Sequence, residues 1–176
     1  MKSIISIFFL SFILYQSVIF AQDSRDEIIT IFDNYIRLNS DFIKSVSDTS
    51  PTHSFYYNLR DSVEAYSENK FDPILEKAKS VICIKNDSLL LYKYIKVLIN
   101  TTNSADEYPN IILGEIYICK SDLFIQEFKK LNKVDRAIIF EIVELGFNHV
   151  TFYDKEKTPN YLSLKTKLEN LKVLLK

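Results

Sequence analysis

Cys83 and Cys119 are the only two thiols in the 176-residue chain. A nucleophilic cysteine needs a base beside it to hold the thiolate. The only histidines are His53 and His149, and nothing in their spacing pairs either with a cysteine. A disulfide is the chemistry the two cysteines suit best. It would close a loop of about 36 residues, worth on the order of 3–4 kcal/mol in the chain-entropy picture. The plain alternative is two small apolar side chains packed in a core.

Metal chemistry finds no support in the spacing. There is no H-E-x-x-H run, and neither histidine has a second ligand three or four residues away on its own helix face. Glu141 and Glu144 are three apart, so they share a helix face near His149. Two carboxylates and a histidine could form a hydrolytic site. A solvated helix edge, with a histidine favoured at the C-terminal end by the helix dipole, explains them equally. No catalytic, cofactor-binding or metal-ligating residue is assigned, and no cofactor is expected.

Aromatic residues are dense around Phe55-Tyr56-Tyr57 and at Tyr92 and Tyr94. Neighbouring helix positions diverge by about 100°, so adjacent rings cannot all face one core. Tyr56, Tyr57 and Tyr92 are therefore the candidate binding surface, since tyrosine anchors contacts at low entropic cost. The alternative is a packed ring with a wet hydroxyl. The N-x-[ST] triplets at Asn86 and Asn100 matter only in a eukaryotic secretory route, and the leader described next has the short bacterial form.

A disulfide presupposes an oxidising compartment, and the N-terminus agrees. Lys2 precedes an apolar run from Ile4 to Leu14, then the more polar Tyr15-Gln16-Ser17, the small residue Ala21 and the polar Gln22-Asp23-Ser24. That is the order of a secretory signal peptide cut after Ala21. An uncleaved anchor would need roughly 20 apolar residues, which the Tyr15-Gln16-Ser17 break interrupts. Cleavage leaves 176 − 21 = 155 residues, one domain, periplasmic or secreted and without a stable membrane anchor. It also removes Lys2, leaving 21 basic against 23 acidic residues. A nearly neutral chain offers no electrostatic attraction to nucleic acid.

The elements that must position these residues read as helices. Gly114 and Gly146 are the only glycines, too few for a run of tight hairpin turns or a phosphate-binding loop. Ser24 and Glu27 have capping-box spacing, ahead of an apolar stripe through Ile28, Phe32, Tyr35, Ile36, Phe42, Ile43 and Val46. Ser47–Pro51 is a loop by composition. A helix with Phe55, Leu59, Val63 and Tyr66 on one stripe follows. Asp72-Pro73 opens another that ends near Cys83. Asp87 or Ser88 caps a strongly apolar central helix carrying Leu91, Tyr94, Ile95 and Leu98. Ser104 and Glu107 repeat the capping spacing before a helix from Pro109 to Cys119, with Gly114 at a close helix crossing. Ser121 caps a short helix. The next runs from Val134 to Leu145, with Gly146 as a left-handed C-cap and His149–Tyr153 as a loop. Thr158-Pro159 opens the last.

The expected architecture is all-α: about eight short helices in an irregular, solenoid-like array of helical hairpins, or a compact orthogonal bundle. With no reactive constellation, the expected function is an exported, non-enzymatic interaction module. Its partner would be another protein, and an immunity- or inhibitor-type protein of the cell envelope is one form. The alternatives are a hydrolase with a carboxylate site at Glu141, Glu144 and His149, and a helical carrier of a small apolar ligand.

Overall fold

The computed structural model describes the backbone of residues 2–47, 53–101, 107–154 and 158–175. Side chains are described from Ser24 onward, apart from 47–54, 56, 102–106, 153–157 and 176. Ser104, the loop at 48–51 and the side chains of Ala21, His53 and Tyr56 lie outside the described residues.

Every regular element among the described residues is helical. They are α1 (Lys2–Ser47), α2 (His53–Tyr66), a π turn (Ser67–Phe71), α3 (Asp72–Lys85), α4 (Ser88–Asn100), α5 (Tyr108–Lys129), α6 (Lys133–Asp154), α7 (Tyr161–Leu171) and a 3₁₀ turn (Lys172–Leu175). These form six continuous helical segments, fewer and longer than the eight expected.

The difference lies in local start signals that did not open a new segment. Ser24 and Glu27 sit inside α1, which passes through them without interruption. No Pro or Gly lies between residues 2 and 47 to stop the upstream run. Glu27 is free to reach across to Lys77 of α3, 2.6 Å away. α3 does begin at Asp72 with Pro73 in its first turn, as expected, but the chain reaches it already helical through the π turn, and the N-cap is Phe71 rather than Asp72. The Asp72 N–H bonds the Ser67 carbonyl, five residues back, and this widened turn sits just ahead of the proline whose N–H is missing. The expected end at Cys119 and restart at Ser121 survive as a kink inside one continuous element, α5. The only break is at Lys120, whose φ −141° and ψ 47° are non-helical. The last helix starts at Tyr161 rather than at Thr158, after Asn160 in the left-handed conformation.

α6 also overruns its expected end. Its residues 149–153 are helical, not a loop, and no glycine has positive φ, so Gly146 is not a C-cap. The β-branched Thr151 is buried and returns its hydroxyl to the Phe147 carbonyl at 2.7 Å, which suits a threonine inside a helix. Gly146 is there for packing. A Cβ built on it would overlap the Asn110 carbonyl and stand 3.0 Å from the Gly114 nitrogen. A Cβ on Gly114 would in turn stand 2.6 Å from the Gly146 carbonyl oxygen. The close crossing expected at Gly114 is present, and its partner is the other glycine.

Two signals read as expected. Asp87 caps α4, accepting a hydrogen bond from the Leu90 N–H at 3.0 Å. α4 is central: Leu90, Leu91, Tyr94, Ile95, Val97 and Leu98 are all buried. It packs against α1, α3, α5 and α6. The rings of Phe32 and Tyr94 stack 5.5 Å apart, joining α1 to α4, and those of Tyr35 and Phe71 stack at 4.3 Å. The buried phenols are satisfied by backbone: Tyr94 donates to Pro109 O at 2.6 Å and Tyr117 to Leu164 O at 2.7 Å. Burial pushes the Tyr117 phenol well above its ordinary range. Among the residues with described side chains, no helix is long and apolar enough to cross a membrane.

Candidate functional site

The cysteines meet. Cys83, in the last turn of α3, and Cys119, just before the break in α5, form a disulfide with Cα atoms 5.9 Å apart. One turn earlier, Lys79 of α3 bonds Glu115 of α5 at 2.6 Å. Both links span the same separation, since 115 − 79 and 119 − 83 are each 36. Equal offsets of the same sign mean that α3 and α5 run parallel and in register. Lys79 also bonds Glu76 at 2.6 Å, and Tyr108 donates to Glu76 at 3.2 Å. Burial alone would lower the Lys79 pKa, but the Glu115 and Glu76 carboxylates outweigh it and hold the ammonium above its ordinary range. The Lys79 hydrogen bond is the main reason the Glu76 carboxyl lies below its own. Lys79 thus pairs with both Glu76 and Glu115, and the seam clamps α3 to α5. A disulfide at this place fits an oxidising compartment.

A second clamp holds α1 to the central helix. The Arg25 guanidinium pairs with Asp87, the α4 cap. Burial would raise the Asp87 carboxyl, but Arg25 and the Leu90 N–H together hold it below the usual carboxylate range.

The three residues of the carboxylate–histidine group all lie on α6. Glu141 and His149 are exposed on the outer side of α6. Glu144 is taken up by Lys172 at 2.9 Å. Among the described residues no three His, Cys, Asp or Glu side chains are grouped so as to hold a metal ion.

The two tyrosines with described side chains are held separately. Tyr57 of α2 is 45% exposed, with the Arg60 guanidinium 5.0 Å from its ring centre. Tyr92 of α4 is half-buried against the core, with the Lys96 ammonium 5.8 Å over its ring.

The feature least visible in the sequence flanks the α1–α2 connection. On α1 the apolar stripe is buried at Ile28, Phe32 and Tyr35 but emerges at its far end, where Ile43 is 45% and Val46 57% exposed. Across the connection, Phe55 of α2 is 52% exposed. The stripe reads as continuous in sequence. The clue to its end is α2, whose Asn58, Arg60, Asp61 and Glu64 leave an apolar face too narrow to cover it. Ile43 and Val46 near the end of α1 and Phe55 near the start of α2 are thus exposed apolar side chains on either side of the connection, with Tyr57 on the opposite face of α2 from Phe55.

No family model, curated protein or solved structure matches this chain.

Proposed function

We propose that the chain is exported, cut after Ala21, and acts outside the cytoplasm as a non-enzymatic interaction module that binds a partner protein of the envelope, in the manner of an inhibitor or immunity protein. Its frame is a compact helical bundle around α4. The observation that carries this reading is the exposed apolar end of the α1–α2 hairpin. Large apolar side chains grouped at one end of a small domain are a common mark of a protein contact, and tyrosine is enriched at such contacts. The disulfide supports an oxidising destination, and the positively started apolar leader supports the route. The hydrolase reading has less to rest on, because Glu144 is already paired with Lys172.

The test is proximity cross-linking and capture with the mature chain, residues 22–176, in its own cell envelope. It is run beside Val46→Asp and Phe55→Asp variants with unchanged helical spectra. One protein should be enriched by the unaltered chain and reduced at least tenfold by either variant. Equal recovery with and without the apolar residues would remove the reading.

A further inference from the structure

We infer that the Cys83–Cys119 bridge is a one-sided reactive site: it is opened by an external thiol only at Cys119 Sγ. A thiolate attacks a disulfide along the line of the S–S bond, from the side opposite the departing sulfur. The two approaches are unequal in this fold. Cys119 is exposed on α5, with its sulfur in a part-buried setting 3.3 Å from the Ile116 carbonyl oxygen, so an external thiol reaches this half of the bridge from the surface of α5. Cys83 is half-buried and packs against the hydrophobic core, so an approach to it must displace core neighbours that Cys119 lacks. The backbone adds to the asymmetry. Lys120, directly after Cys119, is the one non-helical residue within α5, which leaves the chain there less tied to the helical ladder. Cys83 sits inside the regular last turn of α3, closed by the hydrogen bond from the Asn86 N–H to the Ile82 carbonyl at 3.0 Å.

The partner chemistry is that of a dithiol oxidoreductase or dithiol reagent. Its thiolate forms a new S–S bond to Cys119 Sγ, and the old bond breaks with its electron pair leaving on Cys83, which takes a proton from water. The second thiolate of the partner then attacks the partner's own sulfur in the mixed disulfide. Cys119 leaves as a thiolate and is protonated, with the Ile116 carbonyl oxygen 3.3 Å from its sulfur as an acceptor. The bridge gains two electrons and two protons, and the partner is oxidised to its disulfide. Oxidative closure is the reverse path, with Cys119 carrying the mixed disulfide and Cys83 resolving it.

The experiment uses the bridged mature chain and two probes: reduced glutathione, and a dithiol oxidoreductase whose second cysteine is replaced by serine so that the mixed disulfide persists. After an acid quench, free thiols are alkylated and the peptides mapped by mass spectrometry. The expected result with both probes is the mixed disulfide on Cys119 and alkylation on Cys83, in at least tenfold excess over the reverse. A comparable amount of adduct on Cys83 would overturn the inference. A second measurement compares native-state alkylation rates of the single thiols in Cys83→Ser and Cys119→Ser. The Cys119 thiol should react at least tenfold faster, and equal rates would overturn the asymmetry even if the mixed disulfides rearranged before quenching.

Discussion

Gly114 and Gly146 face each other where α5 crosses α6: a side chain on Gly114 would overlap the Gly146 carbonyl, and one on Gly146 would overlap the Asn110 carbonyl one turn before Gly114. The contacts are backbone to backbone, so no side-chain rotamer can relieve an added methyl. Overpacking in cores costs about 1–3 kcal/mol. Replacing glycine by alanine inside a helix contributes about 1 kcal/mol the other way. We expect Gly146→Ala and Gly114→Ala each to destabilise the chain by up to about 2 kcal/mol, read from the urea midpoint at unchanged m. A gain near the helix-propensity value would mean that the helices do not approach this closely.

The disulfide closes a loop of about 36 residues, so its removal should cost on the order of 4 kcal/mol in the chain-entropy model. Cys83→Ala/Cys119→Ala should show that loss in chemical denaturation. The far-ultraviolet spectrum should remain helical, because the Lys79–Glu115 pair still registers α3 against α5. A loss under about 1 kcal/mol would mean that the bridge is absent from the exported protein.

Asp87 serves two elements, capping α4 and pairing with Arg25. Asp87→Ala should cost about 1–2 kcal/mol, the range of a lost cap. The pH dependence follows from the depressed carboxyl. Its contribution is present above the unfolded value of roughly 4 and is lost as pH falls through the lower folded value. Asp87→Asn should therefore flatten the acid limb of a stability-against-pH curve. An unaltered acid limb in that variant would show that Arg25 and Asp87 are not paired in solution.

Lys79 gives the opposite sign. Its folded pKa is raised, so its contribution is present below the unfolded value of roughly 10.5 and is lost as pH rises through the folded value. Lys79→Met should lower stability at neutral pH and reduce the alkaline fall above about pH 10. An alkaline limb identical to that of the unaltered chain would show that the ammonium gains nothing from Glu76 and Glu115.

Export predicts a mature N-terminus at Gln22. Mass spectrometry of the protein recovered from the envelope should find it there, with Ser24 and Glu27 then in the first turn of α1. Full-length chain in the membrane fraction would instead mean that the leader is retained.

Much of the fold was legible wherever one element decides the outcome. The Asp87 cap and the apolar face of α4 are each properties of a single helix. The cysteine pair was legible because compartment and chemistry point the same way. Failures came where a local signal met a stronger neighbour. Ser24 and Asp72 are good helix starters, yet the chain arrives at each already helical. Residues 149–153 favour extended structure in isolation, but burying Thr151 and Phe147 on one face of α6 keeps them in the helix. Gly146 could not be paired with Gly114 beforehand, because which helices cross is decided by tertiary packing. The apolar end of the hairpin was hidden for the same reason: Ile43 and Val46 follow the buried stripe in sequence, and only the reach of α2 separates covered positions from open ones.

The register of α3 on α5 has a covalent corollary. With Cys83 tied to Cys119, the chain between them is a closed ring that contains the whole of α4 and the first half of α5. A protease that cuts one peptide bond anywhere in that ring produces no separate fragments. The nicked molecule keeps its mass, apart from one added water, and its two strands part only when a reductant is present. The ring also encloses the central helix α4, so a chain damaged there retains α4 beside the helices it packs against.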